Sequence, residues 1–380
     1  MDSFFVEVER LEDPSLAGRP VAVGGRGARG VIASASYEAR QFGVQSAQPT
    51  ATALRMCPEL VVVAPSHGRY REVSVAVFAV FRSFTPKVEG LSLDEAFLDV
   101  GGLRRHFGSP SEVGEEVRSE IRGKLGLPAS VGIASNKFLA KLATEKAKPD
   151  GLFHLAVAEQ LEFLHALAAE ALWGVGPATL AGLKRLGVET VGDIAELPEQ
   201  SIARVLGPTH GRQLHQLAMG IDERRVEPDG EAKSISVEET YDTDLSGSDV
   251  LETALLAHAQ RLSWRLHSAG LRARTVTLKA RYSDFTTITR SKSFGEPIDG
   301  ARDLFRAAQP LLAQVDHRRP VRLLGLGGAG LETADAPRQL DLDGSAAWTR
   351  VEETVADVRE RFGEGAVSPA RLLGKGGTPT

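Results

Sequence analysis

The sequence predicts an α+β protein of several domains, and three observations carry that expectation. The chain has 380 residues, more than one hydrophobic core normally organises, so two to four domains are expected. Short β-type runs and helical stretches alternate from residue 19 to about residue 150. A block of short helices with Gly-containing turns at 157–222 then separates this region from a second α/β stretch at 234–331.

Residues 19–36 contain RPVAVGG and RGVIASAS, two β-type runs joined by a Gly-rich turn. Residues 37–57 read as a helix in two pieces, broken at Gln48-Pro49. An apolar strand follows at 60–64. Residues 69–84 have helical periodicity, with Val73, Val77, Val80 and Phe84 as core positions. A strand–turn–strand pattern follows, first Lys87-Val-Glu-Gly-Leu-Ser and then Leu93-Asp-Glu-Ala-Phe-Leu-Asp-Val. Next come a helix at 111–125, the strand Ser130-Val-Gly-Ile-Ala, and a helix from Asn136 to about Lys146. This order suggests a split βαβ layout whose opening strand is not found in full. Residues 223–233 are polar and read as a linker. The segment 234–331 combines alternating runs with helical stretches near 248–268 and 301–314. An acidic tail, 332–380, carries one amphipathic helix at Trp348–Phe362.

Composition narrows the function classes. A single cysteine, Cys57, rules out an intrachain disulfide framework and a thiolate metal cluster, and it fits a reducing, cytoplasmic compartment. No apolar run reaches the ~18 residues of a membrane span, and the start, MDSFFVEVER, lacks the basic region of a signal peptide. The net charge of −5 gives no global support to nucleic-acid binding, but two local patches do. Residues 121–150 hold six Lys/Arg against two acids, and residues 261–290 hold seven against one.

The most informative segment is Ser92-Leu93-Asp94-Glu95-Ala96-Phe97-Leu98-Asp99. On a strand, Asp94 and Glu95 point to opposite faces; at a turn or bulge they can converge. Converging carboxylates repel unless a cation or solvent separates them. The apolar flanks, Leu91, Leu93, Ala96, Phe97 and Leu98, make burial of two acids costly without a metal. A hard divalent ion would take these oxygens together with phosphate oxygens.

This palm-type segment resembles the Y-family of translesion DNA polymerases, of the bacterial DNA polymerase IV type. So do the opening Met1-Asp2-Ser3-Phe4-Phe5-Val6-Glu7-Val8-Glu9 and the stretch Ser36-Tyr37-Glu38-Ala39-Arg40-Gln41-Phe42-Gly43-Val44. Asn136-Lys137-Phe138-Leu139-Ala140-Lys141 and Ala147-Lys148-Pro149-Asp150-Gly151 extend the likeness, which continues to about residue 331. The resemblance implies a right-hand polymerase with a ferredoxin-like palm, small fingers, a helix-hairpin-helix thumb and an α/β little finger. It places fingers at 4–65, palm at 1–3 and 66–156, thumb at 157–222, linker at 223–233 and little finger at 234–331. The implied activity is DNA-directed DNA polymerisation at low fidelity across damaged template, with two Mg²⁺ ions. Asp94 and Glu95 would be the metal-binding, catalytic carboxylates. Tyr37, Arg40, Lys148 and Ser34 would meet the incoming dNTP, Ser34 within the roof Ile32–Ser36. Phe5 matches the position that would exclude a ribose 2′-hydroxyl.

Several elements would hold primer-template DNA. Gly174 and Gly176 read as one hairpin of a helix-hairpin-helix, whose amides face phosphate. The stretch Gly207-Pro-Thr-His-Gly-Arg212 reads as its pair, with Arg212 at a phosphate. Lys137 and Lys141 share a helix face. Arg272, Arg274, Lys279, Arg281 and Arg290 interleave with Val276, Leu278 and Tyr282, so period two predicts a basic open sheet face. Gln339-Leu340-Asp341-Leu342-Asp343 slightly resembles a sliding-clamp peptide but ends in Asp343 where an apolar residue is usual. The chain is read as a monomer.

At its start the chain departs from the family. The family's first strand ends in a metal-binding acid, then one apolar residue, then an Asp. Here Met1 and Asp2 fill the last two places, so a longer native chain is expected, with a start assigned too late. Asp2 lies two residues, ~6.7 Å, along a strand from the missing position and is not expected to replace it. The competing readings are a non-catalytic primer-template binding protein and, more remotely, a palm-type nucleotide cyclase.

Overall fold

The computed structural model describes residues 1–105, 107–228, 230, 232–334, 351, 354–355, 357–359 and 361–372. The chain divides into two compact units, one of Met1–Arg26 with Gly30–Gly230 and one of Glu231–Thr380 with Gly27–Arg29. No helix among the described residues is long and apolar enough to cross a membrane.

The first unit opens with helix α1 (Phe4–Glu12), which buries Phe4, Val6 and Val8. Strands β1 (Val21–Gly24) and β2 (Ile32–Ala35) pair antiparallel, as the two Gly-joined runs predict. Helices α2 (Tyr37–Arg40) and α3 (Thr50–Met56) follow, broken at Pro49 as expected, and β3 (Val61–Val63) joins β1 in parallel. Helix α4 (His67–Phe84) buries Val73, Val77 and Val80 together with Tyr70 and Phe81.

Next come β4 (Val88–Gly90) and β5 (Ala96–Leu98), an antiparallel pair. Helix α5 (Pro110–Leu125) has the start and stop its sequence encodes. The Ser109 hydroxyl accepts the Glu112 N–H, Pro110 begins the first turn, and Gly126 takes the left-handed conformation at the end. Strand β6 (Val131–Ile133) and β7 (Leu152–His154) form a parallel pair around helix α6 (Lys137–Ala147). Asn136 caps α6 by accepting the Leu139 N–H at 2.9 Å. A Cβ at Gly132 of β6 would meet Thr144 N at 2.2 Å and Ala140 O at 2.3 Å, so only glycine lets α6 lie this close. The four strands form two separate pairs, β4–β5 and β6–β7. The predicted opening strand has no counterpart among the described residues.

Five short helices complete the unit: α7 (Gln160–His165), α8 (Pro177–Lys184), α9 (Val191–Glu196), α10 (Glu199–Leu206) and α11 (Pro208–Ala218). They enclose a core of their own that includes Leu164, Leu183, Ile194 and Leu214.

Over residues 232–334 the second unit forms a four-stranded sheet with two helices. Its elements are β8 (Ser234–Leu245), α12 (Ser248–Ser268), β9 (Leu271–Tyr282), β10 (Thr287–Ile298), α13 (Ala301–Leu312) and β11 (Val321–Thr333). The strand order is β10-β9-β11-β8, antiparallel throughout. Both helices pack on one face, where Leu255, Leu262, Leu304 and Leu311 meet Val276, Leu278, Leu324 and Leu326. Gln339–Asp343 lies outside the described residues. The described positions within 348–362 are mostly helical.

Candidate active site

Asp94 and Glu95 lie in a turn between β4 and β5, not on a strand. The Leu91 and Ser92 amides both donate to the Glu95 carbonyl, at 2.8 and 3.3 Å. A turn removes the face alternation that would separate the two side chains. The turn is also open, with Leu91 and Leu93 exposed. This corrects the expectation of acids buried among apolar flanks: the side chains of Asp94 and Glu95 are 22% and 38% exposed.

Each carboxylate meets an amine. Lys141 Nζ donates to both Glu95 oxygens at 3.1 Å. The Met1 ammonium donates to the Asp94 carbonyl at 3.0 Å and stands 3.5 Å from Asp94 Oδ2. The Ser92 hydroxyl donates to Asp94 Oδ1 at 2.9 Å. A cavity of about 190 Å³ opens here, lined by Met1, Asp94, Glu95, Lys141 and Lys148 and by apolar residues of β5, α5 and β6 such as Leu98, Val117 and Val131. It separates β5 from β6.

Asp2 is 2% exposed and acts as a junction. Its Oδ2 accepts Ser130 Oγ–H and the Asp150 N–H, each at 2.7 Å, and its Oδ1 accepts the Tyr37 hydroxyl at 3.4 Å. The start of the chain, α2 and the segment leaving α6 are thereby tied together. Among the described residues, no three His, Cys, Asp or Glu side chains gather as a metal-holding group. The acidic pair alone suits a hard divalent ion that completes its coordination with substrate phosphate, because such ions commonly use one or two carboxylates.

Tyr37 and Arg40 come together on α2, whose first turn is capped by Ser36. The Arg40 guanidinium lies 4.6 Å from the Tyr37 ring centroid, and its Nε donates to the Ala35 carbonyl at 3.1 Å. Burial and the nearby Asp2 charge push the Tyr37 phenol up to about 12, against the pull of Arg40. Lys148 ends α6 and pairs with Glu145 at 2.7 Å. Ser34 is buried in β2. Phe5 stacks on Tyr70, with centroids 4.3 Å apart, and packs against the core.

Gly174 has φ 93°, and Gly176 precedes the first turn of α8. Gly207, at φ 87°, stands in the same relation to α11. Both hairpins therefore present a helix start after a glycine turn, as predicted. Arg212 is largely exposed and pairs with Glu199 at 3.1 Å. Lys137 is only 10% exposed and donates to both Glu89 oxygens, at 2.7 and 2.9 Å.

In the second unit, period two holds from Thr275 to Tyr282. Val276, Leu278, Ala280 and Tyr282 are buried, while Lys279 and Arg281 lie on the opposite, helix-free face. Two predicted members of that face are corrected. Arg272 is 3% exposed and donates to the Thr333 and Ala334 carbonyls; it stands on the parity of Val276 and Leu278, the buried set, rather than on that of Lys279 and Arg281. Arg290 sits directly opposite Leu278, so it shares the helix-covered side and is exposed only because β10 is an edge. Arg274 pairs with Glu332, and Lys279 with Glu238 at 2.7 Å. Sequence reasoning also missed Glu89, Trp173, Asp222 and Arg224, whose significance lies in contacts between distant segments.

The profile of the impB/mucB/samB family matches residues 1–145, and that of its C-terminal domain matches residues 232–342. The DNA polymerase-iota thumb domain matches residues 170–222. A DNA polymerase IV of Streptomyces coelicolor is 44% identical over 93% of this chain and 74% of its own length. That of Halorhodospira halophila is 43% identical over 92% of this chain and 97% of its own. Among solved structures, a Dbh–Dpo4 chimera superposes with a TM-score of 0.79 at 26% identity, covering 87% of this chain and 97% of its own. An insertion ternary complex of Dbh DNA polymerase gives 0.65, also at 26% identity, over 86% and 96%. The chain thus belongs to the Y-family of DNA polymerases, in the company of DNA polymerase IV proteins.

Proposed function

We infer that the chain is a DNA-directed DNA polymerase, a nucleotidyltransferase that copies damaged template at low fidelity from primer-template DNA and dNTPs. The observation that carries this reading is the open acidic turn, two adjacent carboxylates beside a cavity, with Glu95 held by the Lys141 amine. Asp94 and Glu95 would hold two Mg²⁺ ions, which activate the primer 3′-hydroxyl and offset charge on the departing pyrophosphate. Lys141 would then release Glu95 and turn to phosphate. Arg40 offers a fork and Lys148 a point charge to the triphosphate, with Tyr37 and Ser34 beside them. Phe5 would press on the sugar where a 2′-hydroxyl would project.

The hairpin amides at Gly174–Gly176 and Gly207 support a sequence-independent grip on backbone phosphate, with Arg212 beside the second. Lys279 and Arg281 suit duplex backbone on the open sheet face. Arg274, Arg290 and Lys137 would have to leave their present places to join them. Gln339–Asp343 would dock a sliding clamp, the protein would act as a monomer, and the single buried thiol of Cys57 fits the cytoplasm.

A second reading, a non-catalytic primer-template binding protein, draws on the Lys141–Glu95 pair and on the lack, among the described residues, of a third acid beside the two carboxylates. Primer extension decides, using this chain beside a version extended upstream by an apolar strand ending in an acid before Met1. Incorporation by either form supports the enzyme, and incorporation by the extended form alone gives the added acid a part in catalysis. Binding without extension by both forms leaves the binding protein.

A further inference from the structure

We propose that Trp173 is a positioning residue that sets the place of the hairpin-held DNA backbone relative to the acidic turn. The proposal rests on the polymerase reading above.

Trp173 immediately precedes Gly174, the first hairpin glycine, and is 37% exposed. Its ring stands edge-on to Phe97, with centroids 6.3 Å apart at 78°. Phe97 lies on β5, two residues after Glu95, and is buried. On the other side, the Arg224 guanidinium lies 5.2 Å from the Trp173 ring centroid. The indole is therefore held between β5, the strand that follows the acidic turn, and the segment leaving α11.

That exit segment is pinned independently. Arg224 donates to Asp222 at 2.7 and 2.9 Å, and Asp222 also accepts the Phe138 N–H at the start of α6. Asn136 Nδ2 donates to the Gly220 carbonyl at 2.9 Å. The Glu227 N–H donates to Glu89, which sits directly across from Phe97 and holds Lys137. The Lys137 ammonium lies 5.7 Å from the Phe97 ring centroid.

The chain thus enters its first hairpin and leaves its second at one place, beside the strand that follows the acidic turn. Hairpins that grip backbone phosphate fix where the primer runs. The Phe97–Trp173–Arg224 stack fixes where the hairpins stand relative to Asp94 and Glu95. Misplacement of about 1 Å between reacting groups can cost about a hundredfold in rate. A residue acting in this way changes turnover, whereas a residue touching DNA changes affinity.

The test compares wild type, Trp173→Ala, Trp173→Phe and Phe97→Leu. Primer-template affinity is read by anisotropy, single-nucleotide insertion by kcat and KM, and the primer terminus by the fluorescence of a 3′-terminal 2-aminopurine. The expected result for Trp173→Ala is affinity within about twofold of wild type, an altered 2-aminopurine signal, and kcat lowered roughly tenfold to a hundredfold. Trp173→Phe restores most of both, and Phe97→Leu reproduces the loss from the other side of the contact, so misfolding of one variant does not decide the matter. An unchanged 2-aminopurine signal and kcat, or a loss confined to affinity, overturns the proposal. If wild type inserts nothing yet its 2-aminopurine signal still differs from that of Trp173→Ala, the polymerase reading fails while the positioning role stands.

Discussion

The molecule contains two β scaffolds of very different build. In the second unit, four strands of 12 or 13 residues form one sheet, with α12 and α13 packed on one face. In the first unit, the acidic turn sits among four strands of three residues each, in two pairs separated by a cavity. The long sheet carries a continuous ladder and is backed on one face by α12 and α13. The short pairs depend on helices and on side-chain ties such as Asp2 to Ser130 and Asp150. The contrast teaches that the open face of the long sheet rests on one continuous ladder, whereas the acidic turn is assembled from many distant contacts.

The largest effect separates chemistry from binding. Asp94→Asn or Glu95→Gln is expected to lower single-nucleotide insertion by at least about a thousandfold, since metal stabilisation is worth several kcal/mol and each ~1.36 kcal/mol is tenfold. Primer-template affinity, measured by anisotropy, should stay within about twofold. A comparable drop in affinity would show that the turn belongs to the DNA grip.

Acid is the next lever, and it acts on the long sheet. His258 is fully buried on α12, with its Nε2 3.0 Å from the Tyr241 hydroxyl oxygen. Burial, with Arg261 nearby, pushes its imidazolium down to about 3 from an ordinary 6.5. As pH falls below 6.5, the unfolded chain takes up a proton that the folded one refuses. Stability therefore drops by up to about 1.4 kcal/mol per pH unit towards pH 3, and is fully present above 6.5. Thermal melts of the second unit from about pH 7.5 to about pH 5 should show this slope, and His258→Leu should flatten it.

A smaller effect tests the close packing of the short pairs. Gly132→Ala would drive a methyl into the α6 backbone, at an expected cost of about 1–3 kcal/mol. Calorimetry should show a lowered transition for the first unit and an unmoved one for the second. The smallest change is electrostatic. Removing Lys279 and Arg281 together should reduce the slope of log affinity against log salt by roughly 0.9 for each phosphate left unneutralised, without altering insertion at saturating DNA. An unchanged slope would mean that the open face does not meet DNA.

Much of this architecture is legible locally. Asn136 as a cap, the break at Pro49 and the inward set Val73, Val77 and Val80 follow from rules that span a few residues. The placement of Asp94 and Glu95 does not, because a turn closed by Leu91 and Ser92 on Glu95 reads in sequence like a continuing strand. The basic patches mislead for a related reason. Arg261, Arg274 and Lys279 contribute to the excess charge of the window 261–290, but their partners Glu239, Glu332 and Glu238 lie outside it and arrive by packing of α12 on the sheet for Arg261 and through the sheet for the other two. Arg272 misleads because its charge, not its spacing, suggests the open face: it keeps the parity of Val276 and Leu278 and is buried as they are. Asp222 shows the same dependence. Burial raises its pKa, but hydrogen bonds from Arg224 and the Phe138 amide outweigh this and leave it below the ordinary value. The donors come from two separate segments.

The cavity between β5 and β6 has a consequence for how the protein behaves in the tube. Unpaired strand edges above apolar side chains invite pairing with another chain, and among the described residues no neighbouring ladder shields these strands. Warmed or concentrated preparations should self-associate through this face first. Light scattering that rises with concentration before the helical signal falls would be its signature, and a short, soluble strand-forming peptide should suppress it.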